Sequence, residues 1–288
     1  MKTILITGGT GQLGISLRMM LGSKYSIIST ARSTKLSKGD IFLDVTNSML
    51  YKDILKMTNP DLVINLAALT NVDLCEKKPD LAYSINVGGI ESLVSVFDGP
   101  IIHISTDYVF DGKDGPNKET DTTNPLNIYG SSKLASENLL LDKSKDSLVI
   151  RANVLYDYAS GSSASFLNWV INSLEKEQEI NVVNDQWSNP TWTSSLAIVI
   201  DRCIEKRLNG IIHWGDGDWI NRFDFAIKIA DVFNLKKSLI KPIETSELAQ
   251  IATRPLKGGL DSRLAQNTLN LEPPTIEECL NTILEQQK

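Results

Sequence analysis

The stretch TGGTGQLG, residues 7–14, places glycines at positions 8, 11 and 14 directly after the apolar run MKTILI. A strand, such a loop and then a helix can hold a dinucleotide pyrophosphate, because the helix N-terminus presents free N–H groups. Gly8 would allow a tight turn, Gly11 would let the pyrophosphate approach the backbone, and Gly14 would let the helix pack closely. The alternative, a glycine-rich turn without a ligand, is disfavoured by this context.

Outward from this loop, short apolar runs rich in β-branched residues alternate with segments of helical spacing. Such alternation predicts a Rossmann-type, doubly wound α/β fold with a parallel sheet covered on both faces. The predicted strands of the first half are residues 3–7, 26–30, 61–67, 100–105 and 148–155. Residues 80–97 have helical spacing, and a further helix is predicted from near Leu126 through residue 141. The second half is less regular, with a small-residue loop at 158–165 and helices predicted at 166–178, 223–233 and 275–287.

We predict an NAD(P)-binding domain over residues 1–155, to which later segments return, and a mainly substrate-binding domain over 156–288.

Composition narrows the classes of function. The 288 residues carry a formal net charge of −6, which argues against a nucleic-acid or acidic-membrane partner. The cysteines, Cys75, Cys203 and Cys279, form neither a disulfide framework nor a zinc pattern. No apolar run approaches the roughly 20 residues of a membrane span. We therefore expect a cytoplasmic protein with reduced thiols and no metal, in which His103 and His213 are strand residues with satisfied ring nitrogens.

The second predicted strand bears on cofactor choice. Sites that prefer NAD usually place Asp or Glu about 20 residues past the glycines, where it binds the ribose 2′-hydroxyl. Here the strand ends STARST, and Arg32 stands where an acid would be expected. An arginine can pair with a 2′-phosphate, so this end favours NADPH, with NADH as the alternative cofactor. A merely solvated arginine is the competing interpretation.

The segment YGSSK, residues 129–133, suggests catalysis. Tyr129 and Lys133 are four residues apart, so they share one face of a helix. An ammonium beside the phenol would lower the tyrosine pKa from about 10 toward neutrality, and the lysine could also bind the nicotinamide ribose. Thr106, at the C-terminal end of the strand IIHIST, could hold a substrate oxygen beside the tyrosine. Ser105 is the alternative, although neighbours on a strand face opposite ways.

The chain resembles the extended short-chain dehydrogenases/reductases and, more narrowly, the dTDP-4-dehydrorhamnose reductase family. The resemblance rests on TGGTGQLG, NLAALTNVD (65–73), STDYVFDG (105–112) and PLNIYGSSK (125–133), and it continues through VVNDQWSNPTWT (182–193) and TRPLKGGL (253–260). It implies a Rossmann domain with a smaller C-terminal α/β substrate-binding domain. It also implies reduction of the 4-keto group of a nucleotide-linked deoxysugar by NADPH or NADH.

The resemblance also implies the site. Thr106, Tyr129 and Lys133 would be catalytic, with the last two also contacting the cofactor, and Thr106 and Asp107 would touch the sugar. By the same resemblance, the pyrophosphate would be bound by Gly8, Gly11, Gln12, Leu13 and Gly14. The adenine would contact Asp44 and Val45, the cofactor would be lined by Ala67 and Ala68, and Asn86 would lie beneath the active site. The competing interpretations are a strand-end cap for Asp44, tight packing for the alanines and a structural hydrogen bond for Asn86.

Three departures from the family pattern fall in the presumed substrate region. Val154, in RANVLY, replaces the aromatic residue expected to face the sugar. Lys257 and Gly258 replace Asn and Ser, and Asn221 with Arg222 replaces a Ser-Trp pair. The departures leave the cofactor and catalytic motifs intact, so they indicate the same type of reaction on a less certain substrate.

Two other functions compete. The first is an epimerase or 4,6-dehydratase on the same scaffold. A dehydratase carries Asp-Glu after its catalytic threonine, whereas Asp107 is followed here by Tyr108, and the Arg32 site disfavours the tightly held NAD of an epimerase. The second is a non-catalytic NADP-binding subunit resembling the regulatory subunit of methionine adenosyltransferase. We expect a nucleotide-sugar ligand in the first case and a protein partner in the second, and a homodimer is a further expectation.

Overall fold

Strands and helices alternate along the chain in the computed structural model, which describes residues 1–32, 39–158 and 165–287. Residues 159–164, in the predicted small-residue loop, lie outside the described residues. The strands are β1 Thr3–Thr7, β2 Ser26–Ala31, β3 Ile41–Phe42, β4 Leu62–Asn65, β5 Ile101–Thr106, β6 Leu148–Ala152, β7 Leu155–Tyr156, β8 Ile180–Val183, β9 Trp187–Ser188, β10 Thr191–Trp192, β11 Gly210–Trp214, β12 Ile220–Asn221 and β13 Ile240–Ile243.

The helices cover the strands and fill the second half of the chain. They are α1 Gln12–Leu21, α2 Ser48–Thr58, α3 Val72–Lys77, α4 Pro79–Asn86, α5 Gly88–Val94, α6 Ile128–Lys143, α7 Phe166–Glu175, α8 Thr193–Lys206, α9 Arg222–Val232, α10 Arg263–Leu269 and α11 Ile276–Glu285. Short 3₁₀ turns lie at Asp107–Val109, Lys237–Leu239 and Thr245–Glu247. No helix in the described residues is long and apolar enough to cross a membrane.

The described residues form a seven-stranded parallel sheet in the order β11-β6-β5-β4-β1-β2-β3. This order confirms the predicted Rossmann-type α/β fold. The order reverses between β1 and β4, which makes their carboxyl ends the switch point where such sheets bind ligands. Strand β11 comes from the second half of the chain and pairs with β6 at the sheet edge.

Alternation along the strands covers both faces of the sheet. Ile4 and Ile6 of β1 join a core with α1 and α8, whereas Leu5 between them joins a core with α2, α5 and α6. Successive strand residues point to opposite faces, so an apolar strand requires a helical layer on each side. The sheet is therefore doubly wound, as the continuous apolar runs predict.

A separate core lies in the second half of the chain. It joins α7, α9 and α11 to β8, with Phe225 and Leu280 fully buried at its centre. Strand β13 pairs in parallel with β8, and two further two-stranded pairs, β7 with β10 and β9 with β12, lie nearby in sequence. This is the smaller α/β unit; the exact boundary after residue 155 stays a prediction.

Two predicted elements are interrupted in the structure. The strand expected over 148–155 divides into β6 and β7, because Val154 adopts a positive φ of 42° that no regular strand accommodates. The helical segment 80–97 divides into α4 and α5 around Val87. Two successive glycines, of low helix propensity, begin α5, and a Cβ on Gly89 would lie 3.1 Å from Val45 Cγ2.

Candidate functional site

The glycine loop after β1 has the tight geometry its sequence suggests. Gly8 has φ +67°, and an added Cβ would lie 3.0 Å from the backbone nitrogen of Ala67. At Gly14 a Cβ would lie 2.6 Å from Gly9 Cα, so the helix start packs directly on the turn. In the part of the chain that the structure describes, the carbonyl of Gly8, at 3.3 Å, is the one group within 4 Å of the Cβ position of Gly11. This leaves its other side open to a ligand.

Gly9 makes a close approach to β2 that sequence reasoning missed. A Cβ there would lie 2.3 Å from the hydroxyl oxygen of Ser29 on β2. The signal in the sequence was the second glycine of TGG, which the spacing rule does not use. The other predicted loop residues divide: Leu13 is buried in the core beneath the sheet, whereas Gln12 is only partly buried.

A cleft of about 190 Å³ opens beside this loop at the switch point of the sheet. The cleft brings together residues from the ends of β1, β2 and β4 and from the segment after β3. Its lining residues are Gly8, Thr10, Ala31, Arg32, Leu43, Asp44, Val45, Ala67, Ala68, Leu69 and Ile85. Six of the predicted cofactor residues therefore share one cleft, although they are spread over 60 positions from 8 to 68.

Arg32 and Asp44 give this cleft its charge. Arg32 is exposed, and Asp44 Oδ1 accepts hydrogen bonds from the backbone nitrogen of Thr46 at 3.0 Å and from its hydroxyl at 2.8 Å. These bonds, together with the nearby guanidinium, hold the pKa of Asp44 below its usual range. The Asp44 carboxylate thus acts as a cap for the backbone after β3, as its competing interpretation predicted, and it also lines the cleft.

Asn86 connects the cleft to the helix that carries the tyrosine and lysine. Its Oδ1 accepts a hydrogen bond from Leu69 N at 2.7 Å, and its Nδ2 donates to Ser132 Oγ at 2.9 Å. Ser132 in turn donates to the carbonyl of Tyr129 at 2.8 Å. The buried amide therefore fixes α6 relative to the segment after β4, which is the structural hydrogen-bonding role named as its alternative.

Thr106 and Tyr129 meet at the carboxyl end of β5. Thr106 is the last residue of the strand, and its hydroxyl accepts a hydrogen bond from Tyr108 N at 3.2 Å. Tyr129 and Thr106 share a side-chain hydrogen bond, and the ring of Tyr129 packs edge-on against that of Tyr108 with centroids 5.8 Å apart. Ser105 does not share this arrangement: its buried hydroxyl has no hydrogen-bond partner among the described residues.

The expected effect of Lys133 on the tyrosine is absent from this structure. Its Nζ bonds instead to the carbonyl of Ile104 at 2.8 Å and lies 3.0 Å from His103 Nε2. Burial dominates, and it raises the pKa of Tyr129 above its ordinary value and lowers the pKa of Lys133 to about 8. The phenol is therefore held protonated, because the lysine charge that would favour phenolate is directed elsewhere.

Asp107 and Val154 take up less expected environments. Asp107 is buried, and desolvation raises its pKa despite weak contacts of 3.4 Å from Asn153 Nδ2 and from Gly259 N. A Cβ on Gly258 would lie 3.0 Å from its Oδ2, so the glycine at this departure from the family pattern leaves room beside the carboxylate. Val154 is partly buried, in a backbone conformation rare for a β-branched residue.

A second pocket, of about 220 Å³, is lined in part by Tyr108. Arg222 enters it from the start of α9 and Arg254 from the long loop before α10. The lining residues are Tyr108, Phe166, Trp169, Asn181, Val182, Val183, Gln186, Arg222, Leu248, Gln250 and Arg254. Sequence reasoning recorded Arg222 only as a departure and did not single out Arg254 within TRPLKGGL.

The two arginines differ in their partners. Arg254 Nη2 pairs with Asp73 at 3.0 Å. Arg222 has no carboxylate within 4.0 Å among the described residues; its guanidinium lies 5.2 Å from the centre of the Phe166 ring and bonds to the side chain of Tyr108. A partly buried arginine without an acid is available to an anionic ligand.

Comparison with known proteins places this geometry in a family. The family model for the RmlD substrate binding domain matches residues 1–288. A dTDP-4-dehydrorhamnose reductase of Aggregatibacter actinomycetemcomitans is 33% identical, with 98% of each chain covered. The methionine adenosyltransferase 2 subunit beta of Bos taurus is 30% identical over 91% of this chain and 81% of its own.

A solved structure agrees with the sequence relatives. The crystal structure of dTDP-4-dehydrorhamnose reductase from Bacillus anthracis in complex with NADP superposes with a TM-score of 0.91 and 31% identity, and the match covers 99% of this chain and 100% of that one. The agreement of family model, relatives and structure over the full length confirms the resemblance drawn from the motifs. The chain belongs to the RmlD family, the dTDP-4-dehydrorhamnose reductase family of NAD(P)-dependent extended short-chain dehydrogenases/reductases.

Proposed function

We propose that the protein reduces the 4-keto group of a nucleotide-linked deoxysugar with NADPH. One observation carries the proposal: the hydroxyl of Thr106 and the phenol of Tyr129 share a hydrogen bond. The chain also forms the cleft beside the glycine loop and the pocket of Arg222 and Arg254, whose lining residue Tyr108 packs against the ring of Tyr129. A hydride donor in the first cleft and an anionic substrate in the second would meet at this hydroxyl pair. The name and NADP complex of the Bacillus anthracis relative support the same assignment.

The residues of the first cleft fit a dinucleotide. Positive φ at Gly8 and the open side of Gly11 leave backbone where a pyrophosphate can approach, at the N-terminus of α1. Among the described residues no side chain caps that helix, so its N-terminus can receive a ligand phosphate. Asp44, Val45, Ala67 and Ala68 would then line the nucleoside end, and exposed Arg32 would meet a 2′-phosphate.

The catalytic side chains have matching roles. NADPH, when bound, supplies the hydride that reaches the carbonyl carbon. Tyr129 holds its proton because burial raises its pKa, and it donates that proton to the carbonyl oxygen. Thr106 holds the same oxygen through its hydroxyl. Two N–H groups of Lys133 are directed to Ile104 and His103. The third N–H is then available for the cofactor ribose.

The second pocket fits the diphosphate of a nucleotide sugar. Arg222 and Arg254 supply two positive charges on one wall, and Phe166 and Trp169 supply aromatic surface for a base. The Arg222 guanidinium has no ion-pair partner among residues 1–32, 39–158 and 165–287, so binding a diphosphate would satisfy it. Asp107 and the room beside Gly258 would then lie at the sugar end.

The test is NADPH oxidation against a panel of nucleotide-linked 4-keto-6-deoxysugars, dTDP-4-dehydrorhamnose included. Turnover with one of them supports the proposal and identifies the sugar and nucleotide. Tight NADPH binding without turnover on any of them would favour a regulatory subunit. The Bos taurus relative, whose name makes it a subunit of methionine adenosyltransferase 2, is the model for that alternative. The proposed homodimer is tested separately, by the molar mass in solution.

Arg32→Ala should weaken NADPH binding about tenfold and leave NADH binding nearly unchanged, because only NADPH carries the 2′-phosphate. The measurement is the Kd of each cofactor by fluorescence titration. Arg202→Ala, which removes another exposed arginine far along the chain on α8, serves as the matched control and should alter neither Kd. Equal losses for both cofactors in Arg32→Ala would remove the argument for the 2′-phosphate.

Arg222→Leu should weaken binding of nucleoside diphosphates roughly 10- to 100-fold, since it removes a charge-assisted contact from the pocket. Arg222→Lys keeps the charge without the planar donor fork and should lose less. Calorimetric titration with dTDP, UDP and GDP measures the effect and ranks the bases. NADPH affinity is the internal control and should stay constant. An unchanged Kd for all three diphosphates would place the substrate elsewhere.

A further inference from the structure

The tip of Lys133 is held by a buried polar cluster. Its Nζ donates to the carbonyl of Ile104 at 2.8 Å and lies 3.0 Å from Nε2 of His103. Ser136 Oγ lies 3.0 Å from the same Nε2 and 2.7 Å from the carbonyl of Lys133. The lysine and the histidine are both almost completely buried, with 2% and 1% of their surface exposed.

This lysine has no acid to pair with. Among the described residues no carboxylate lies within 4.0 Å of Nζ, and Glu137, one turn further along α6, is bonded to Arg151 through three contacts. A buried ammonium is costly unless its N–H groups find acceptors. Here the available acceptors are one carbonyl and one imidazole, so the imidazole is a large part of what orients the charge.

We propose that His103 is a positioning residue for Lys133, whose neutral imidazole accepts one N–H of the ammonium at Nε2. Ile104 accepts a second N–H, and the third is then left in a fixed direction for the ligand in the cleft. The inference rests on the proposed function in one respect, since that ligand is taken to be the cofactor ribose. A mobile lysine would lose this direction, because its side chain has four rotatable bonds.

The other ring nitrogen ties the same histidine to the glycine loop. His103 Nδ1 lies 3.0 Å from the side-chain amide of Asn65, directly opposite on β4. The hydroxyl of Thr7 donates to Asn65 Oδ1 at 2.7 Å and accepts a hydrogen bond from Ala67 N at 3.3 Å. Thr7 and Ala67 flank Gly8 on two sides. The chain of bonds therefore sets the lysine and the pyrophosphate loop in one frame.

The direction of these bonds follows from the histidine tautomer. For Nε2 to accept from Lys133, the proton must reside on Nδ1, and Asn65 must present its amide oxygen to it. The structure places Asn65 with Nδ2 toward Nδ1 of His103 and with Oδ1 toward Thr7. A half-turn of this amide exchanges the two atoms, and Nδ2 then donates to the hydroxyl oxygen of Thr7. The hydroxyl hydrogen of Ser136 rotates toward either neighbour, so the arrangement leaves no donor facing a donor.

The test compares His103→Leu with His103→Gln, whose amide oxygen is an acceptor of similar reach. The Leu variant should raise the Kd for NADPH about tenfold and lower kcat by about the same factor, as expected for one lost charge-assisted bond. Its Kd for dTDP should not change, because none of the residues of this cluster lines the second pocket. The Gln variant should recover most of the NADPH affinity and of the rate.

His213→Gln is the matched control, a buried histidine of the same sheet that contacts Arg151 and not Lys133. It should leave the Kd values unchanged at temperatures where the protein stays folded. If His103→Leu does not fold, His103→Asn replaces it, since its shorter side chain is polar but does not reach Nζ.

An unchanged NADPH Kd in the Leu or Asn variant would overturn the proposal, as would equal impairment in His103→Gln. A parallel loss of dTDP affinity would show a structural role only. The Kd for NADPH is measured without a sugar substrate. The role of His103 can therefore be disproved while the reductase assignment stands, and the reductase assignment can fail while the role of His103 stands.

Discussion

Tyr129→Phe is expected to lower kcat by about 10²- to 10⁴-fold, the range associated with loss of a general acid. Phenylalanine keeps the ring and its edge contact with Tyr108 but removes the phenol proton that lies beside the hydroxyl of Thr106. The cofactor cleft keeps its own lining, so NADPH affinity should change little. Single-turnover NADPH oxidation with the best substrate of the panel measures the loss.

Tyr108→Phe is the matched control, because it removes a neighbouring phenol of the same pocket edge and leaves Tyr129 in place. It should affect binding of the diphosphate through Arg222 more than kcat. Turnover of Tyr129→Phe at the wild-type rate would exclude tyrosine as the proton donor. Loss of NADPH binding in the same variant would show that the phenol serves the cofactor instead.

Glu137→Ala should lower the free energy of unfolding by about 3–5 kcal/mol, the second large effect we expect. Glu137 receives Nε and Nη2 of Arg151 at distances down to 2.6 Å, and the two side chains are only 1% and 3% exposed. Removing the carboxylate leaves a buried guanidinium with no compensating charge. The measurement is urea denaturation, read as a shift of the midpoint at constant m-value.

The same pair joins the helix that carries Tyr129 and Lys133 to the sheet, because Glu137 lies on α6 and Arg151 on β6. Glu137→Gln retains an acceptor and should lose less stability than the alanine variant. Glu205→Ala, which removes an exposed carboxylate paired with Lys24 and Arg202, is the control and should leave the midpoint nearly unchanged. If the midpoint of Glu137→Ala shifts as little as that of Glu205→Ala, the Glu137–Arg151 pair makes no net contribution to the free energy of unfolding.

Local patterns predicted the elements of the fold well. The apolar runs at 3–7 and 26–30 and the helix that carries YGSSK appear in the structure within about two residues of their predicted ends. These elements are encoded by hydrophobic periodicity and by the residues at their ends, which are properties of neighbouring positions. The division of the strand over 148–155 was not predicted, because nothing local requires a valine to adopt positive φ.

The charge states of the site could not be predicted from spacing. Four residues between Tyr129 and Lys133 correctly put both on one helix, and from this we expected a lowered tyrosine pKa. The opposite direction arises because the lysine tip turns toward Ile104 and His103, while burial raises the tyrosine pKa. Desolvation depends on everything packed around a group, and a sequence spacing carries no information about it.

The sequence by itself determined the glycine loop, the parallel α/β sheet and the family, and it predicted the hydroxyl, phenol and ammonium of the candidate site, because local motifs and hydrophobic patterns encode each of them. The tertiary structure alone decided which distant residues converge. It brought Arg222 and Arg254 to one pocket beside Tyr108, and it joined His103 to Lys133. Such contacts follow from the crossing of strands and the packing of helices on them, so only the folded chain defines the substrate side of the site.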